Sequence, residues 1–129
     1  MNFLDRLSVW LASSFSDSDT AAIRGYSFNL VENAGQFTVE LIGAPTFDES
    51  DSDWACDEMF VGSPRSIPIP EAVHEGKWES CQENMSTILR DFLEFGDETA
   101  RILKRADAVA VGFVDGELAV VYRAEPIRI

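Results

Sequence analysis

The chain has 129 residues, 46% of them hydrophobic, which suits one folded domain spanning 1–129 and excludes low-hydrophobicity disorder. Ten Lys and Arg against twenty-three Asp and Glu leave a formal charge of −13, which disfavours nucleic acid and anionic membrane surfaces, since both are bound through cations. A basic protein or a metal ion is attracted instead, with simple solubility as the plain alternative.

Phe3, Leu4, Leu7, Trp10 and Leu11 recur at helical spacing, so residues 2–14 are expected to form an amphipathic helix that the Ser/Asp-rich stretch 13–20 ends. Asp5 and Arg6 interrupt its apolar residues, so a secretory leader and a membrane span are not expected there. Tyr26, Phe28 and Leu30 alternate with Ser27, Asn29 and Val31. After Asn33-Ala34-Gly35, Phe37, Val39 and Leu41 alternate with Thr38, Glu40 and Ile42. Two period-two runs about a short Asn/Gly turn predict a β-hairpin, closed by Gly43-Ala44-Pro45.

An acidic run follows, from Phe47 to Glu58. It holds six carboxylates in twelve residues, has no Lys or Arg, and carries the large aromatics Phe47 and Trp54. Like charges at this density need solvation, a cation or a basic partner, while the aromatics tie the segment to a core or an interface. Residues 45–70 are expected to be a long irregular connection; Pro68 between Ile67 and Ile69 suits an edge strand or a strapped loop.

Lys77 to Phe95 carries the clearest helical stripe, formed by Trp78, Cys81, Met85, Ile88, Leu89, Phe92 and Leu93, and Gly96 stops it. Asp97 is placed to cap a second helix, Glu98 to Arg105. Ala108 to Val114 predicts a buried strand, Asp115-Gly116 a type I′ turn, and Glu117 to Tyr122 the returning strand. The expected architecture is therefore α+β: an antiparallel sheet built from two hairpins, with helices packed on one face.

Chemistry-bearing patterns are sparse. In the acidic run neither register of an EF-hand loop fits: starting at Asp51, the sixth and twelfth positions are Cys56 and Gly62, and starting at Asp48 they are Asp53 and Met59. An irregular divalent-cation site on Asp48, Asp51, Asp53 and Asp57 is the alternative kept open, against a merely solvated loop. Cys56, Cys81 and His74 lack zinc-ligand spacing, and a Cys–His or Ser–His–Asp couple would have to use the single histidine. No phosphate-cradling glycine motif occurs, and no carboxylate pair stands out for glycosidase work. Two cysteines suggest a reducing, bacterial-type cytosol and free, buried thiols. No catalytic set, metal or cofactor is expected.

The segment Phe47 to Cys56, the Trp78-led helix and the closing stretch Val111 to Leu118 together resemble uncharacterised small acidic bacterial proteins, including immunity proteins of polymorphic toxin systems, over residues 45–122. The resemblance implies a cytoplasmic protein that masks a toxin domain, often a basic nuclease, by matching charge, and it brings no catalytic residues. The expectation is a non-enzymatic protein-binding domain whose contacts are Asp48, Asp51, Asp53, Trp54, Asp57 and Glu58. Oligomeric state is left open.

Overall fold

A computed structural model describes residues 2–16, 20–114 and 116–124. Helix α1 (Phe3–Phe15) leads into the hairpin β1 (Gly25–Asn33) and β2 (Gln36–Ala44). A 3₁₀ turn at Ser52–Cys56 and strand β3 (Phe60–Pro68) follow, then α2 (Glu71–His74), α3 (Trp78–Phe95), α4 (Glu98–Leu103), β4 (Ala108–Phe113) and β5 (Ala119–Arg123).

The five strands form one sheet in the order β3-β2-β1-β4-β5. The expected α+β class holds, with two differences in pairing, the first being β3, which joins β2 as a fifth, antiparallel edge strand. Each hairpin is antiparallel, but the hairpins meet through β1 and β4, which run parallel in register from Gly25↔Ala108 to Leu30↔Phe113. Parallel neighbours require a crossover, and the helices supply it.

Period-two alternation sorts the strand residues between two faces. Tyr26, Phe28, Leu30, Phe37, Val39, Leu41, Val109 and Val111 meet Leu7, Trp10 and Leu11 of α1 and Cys81, Met85 and Leu89 of α3 in the main core. Asn2 caps α1 by accepting from the Asp5 N–H at 2.8 Å, and Asp97 caps α4 as expected, accepting from the Thr99 N–H at 3.0 Å. At the first hairpin Ala34 and Gly35 both take positive φ (54° and 83°), the geometry that a two-residue turn matched to strand twist requires. The second turn includes Asp115, which lies outside the described residues.

The middle third is more regular than its prolines suggest. β3 is a nine-residue strand at the sheet edge, where prolines cost no ladder bond, and α2 is a short helix that no periodicity announced. Residues 62–65 bulge opposite Leu41, between the pairs Ile42↔Val61 and Glu40↔Ser66. The bulge brings the Pro64 carbonyl to the Trp10 indole, whose N–H donates to it at 2.6 Å, and aims Arg65 at two carboxylates. Trp78 leaves the predicted stripe: at the first position of α3 it is 60% exposed, while Cys81, Met85, Leu89, Phe92 and Leu93 are buried as expected.

Candidate functional site

The second sheet face is lined by small or polar side chains, and the acidic run covers part of it. Ile42, Ala44 and Ala110 form a minor core with Trp54 and Ala55 of the 3₁₀ turn, flanked by Phe47 and Leu118. Phe47 and Trp54 pack edge to face with centroids 5.2 Å apart, and the Arg123 guanidinium lies 4.9 Å over the Phe47 ring. Trp54 fits because Gly25 lacks a side chain: a Cβ there would stand 2.5 Å from the indole ring. Trp54 is buried (7% exposed). It anchors the lobe from beneath instead of presenting an aromatic to a partner, which is a physical reason to move it from the contact set to the support beneath it.

Above this anchor all six carboxylates of the run are exposed, on one continuous segment. Their bonding differs. Asp48 accepts from the Ser50 N–H at 2.9 Å and the Ser50 hydroxyl at 2.7 Å, and these bonds hold its pKa below the ordinary aspartate value. Asp51 caps the 3₁₀ turn, accepting from the Asp53 N–H at 3.0 Å. Glu58 is engaged within the molecule: both its oxygens accept from Arg65 at 2.8 Å, which lowers its pKa, while Arg65 also donates to Glu40 at 2.9 Å. Glu49 lies 3.8 Å from Arg123. Asp53 and Asp57 have no hydrogen-bond or ion-pair partner for their carboxylates among the described residues.

The lobe is thus packed onto the sheet at its base and unneutralised at its crest, where Asp48, Asp51, Asp53 and Asp57 are exposed. No group of three or more His, Cys, Asp or Glu among the described residues is placed to hold a metal ion. The structure does not gather Cys56, Cys81 and His74 into a site. Cys56 is exposed, contrary to the expectation of two buried thiols, because it ends the 3₁₀ turn on its outer side; Cys81 is fully buried, and burial pushes its thiol up to about 11. His74 stacks on Phe37 with centroids 4.2 Å apart, and its Nδ1 accepts from the Gly76 N–H at 2.8 Å, closing the turn after α2. No helix among the described residues is long and apolar enough to cross a membrane.

One concave feature escaped the sequence. A cleft of about 1290 Å³ opens between the N-terminal half of α3 and the carboxyl ends of β1 and β4, with Leu30, Phe37 and Phe113 in its floor and Trp78 at its rim. The only signal for it was Trp78 standing at the extreme start of its helix, where a stripe residue has no preceding turn to pack beside. Comparison with family models, with curated proteins and with solved structures finds no match to this chain.

Proposed function

We propose that this chain is a non-enzymatic acidic protein-binding domain, of immunity or inhibitor type, that masks a basic partner such as a toxin domain or nuclease. The observation that carries the reading is the acidic lobe: six exposed carboxylates on a segment whose buried side, Trp54 with Phe47, fixes it to the sheet. A surface fixed before encounter loses little conformational freedom on binding, and a dense negative field speeds and orients the approach of a cation-rich protein. Asp48, Asp51, Asp53 and Asp57 make the contacts in this reading. Trp54 holds them in place, and Glu58 acts through its ion pair with Arg65.

Affinity capture from the native cell, at low and high salt, tests it with the wild type and with Asp51→Asn/Asp53→Asn. Recovery of a basic protein that falls with salt and in the double variant supports the lobe. Equal recovery by the wild type and the double variant rejects it.

A further inference from the structure

β1 and β4 are adjacent and parallel, and the chain leaves their carboxyl ends in opposite directions, towards β2 on one side and β5 on the other. Open sheets leave a crevice outside the strand ends at such a divergence. Here α3 walls it into the 1290 Å³ cleft. The acidic lobe sits at the other end of β1, where Trp54 rests on Gly25, so the two surfaces are separate.

The cleft joins two properties that are rarely left open to water together. Trp78 touches Phe113 edge-on, with centroids 6.4 Å apart, yet remains 60% exposed, and Val114 beside it is 63% exposed. Tryptophan is among the residues most enriched where binding energy concentrates in interfaces. Four glutamates, Glu32, Glu79, Glu83 and Glu117, line the same cleft against two cations, Lys77 and Arg90. None of these six side chains is ion-paired among the described residues. The glutamates of the cleft are therefore available, unlike Glu58 and Glu40, which Arg65 already engages.

We propose that the cleft docks a basic segment of a partner protein that also carries apolar side chains. An apolar residue of the segment packs on the exposed Val114 above the buried floor, and an Arg or Lys lies over the open face of Trp78 within reach of Glu79 and Glu83. A cation over an indole is the strongest of the cation–π pairings, and the surrounding carboxylates add to it. The inference is independent of the lobe, which presents charge without an exposed aromatic.

The three tryptophans make the test direct, because Trp10 and Trp54 are buried (3% and 7% exposed) and a soluble quencher such as acrylamide reaches Trp78. The wild type is titrated with a synthetic peptide of alternating Arg and Leu, with its Glu/Leu counterpart, and with an Arg/Gly control. Expected are a blue shift and protection of Trp78 with Arg/Leu, weaker protection with Arg/Gly and none with Glu/Leu. By calorimetry, Glu79→Gln/Glu83→Gln and, separately, Trp78→Ala should each weaken Arg/Leu binding by roughly fivefold or more, while Asp51→Asn/Asp53→Asn weakens it by less than about twofold. Unchanged circular dichroism in all three variants confirms that they fold. The proposal is overturned if Trp78 stays accessible, if Glu/Leu protects it equally, or if protection appears on raising the protein concentration alone, which would make a second copy the occupant. It also fails if the lobe variant weakens binding as much as the cleft variants. Failure of capture through Asp51 and Asp53 leaves this result untouched, so the two readings fail separately.

Discussion

Gly25 and Trp54 show how much one side chain decides here. An indole occupies the space above a glycine in the first strand, and that contact seats the acidic lobe on the sheet. Gly25→Val is therefore expected to lift the indole and destabilise the fold by about 1–3 kcal/mol, as overpacking does. Thermal melting measures the loss, and a rise in acrylamide-quenchable tryptophan identifies Trp54 as its source. An unchanged quenching profile would mean that the indole does not rest on Gly25. Arg65 is the second decisive side chain. Its contact lowers the pKa of Glu58, so the pair contributes stability that is present above the ordinary glutamate value of about 4.3 and is lost as pH falls through the lower, folded-state value. Both groups are substantially solvent-exposed, so Arg65→Gln should cost only about 0–1 kcal/mol near neutral pH. The difference in melting temperature between wild type and variant should shrink as the solution is acidified below pH ~4 and as salt is added. A difference that stays constant with pH would assign the effect to packing of the Arg65 stem.

Among the elements, α3 and the first hairpin follow most directly from local chemistry. The stripe from Cys81 to Leu93 is buried almost as its spacing predicts, and Leu89 is fully enclosed. Leu89→Ala should cost about 2–5 kcal/mol, read from denaturant unfolding; a loss below about 1 kcal/mol would show that the helix does not pack through this stripe. The hairpin register, Gly25↔Ala44 to Asn33↔Gln36, follows from a turn that needs positive φ at both central residues and from strands that bury alternate side chains. Gly35→Val, at φ 83°, should destabilise by about 1–3 kcal/mol, because a β-branched residue tolerates that conformation poorly. Full stability of the variant would mean that the turn rearranges. β3 and α2 were less legible for a physical reason. Prolines suppress the usual strand signal, and only the position of β3 at the sheet edge makes Pro64 and Pro68 acceptable. A helix of four residues is too short to establish a period.

Taken together, the lobe and the cleft, held apart by a single sheet, account for ten of the twenty-three acidic residues behind the charge of −13, and the rest are spread over the chain. Self-repulsion of this size works against compaction, so added sodium chloride should raise the melting temperature up to a few hundred millimolar by screening, as the Debye length falls from about 10 Å at 0.1 M. A melting temperature that falls with salt would mean that internal ion pairs such as Glu58–Arg65 outweigh the repulsion. The α+β class, both hairpins, the two long helices, the cap at Asp97 and the anchoring of the acidic run by its aromatics were all present in the order of residues, because periodicity, capping and turn chemistry act over a few positions. Three features came only with the assembled chain. They are the parallel meeting of β1 with β4, the choice of Gly25 as the seat beneath Trp54, and the cleft that leaves Trp78 open beside four glutamates. Each depends on residues far apart in sequence finding one another, and no local pattern encodes which distant strand, glycine or helix end will be the neighbour.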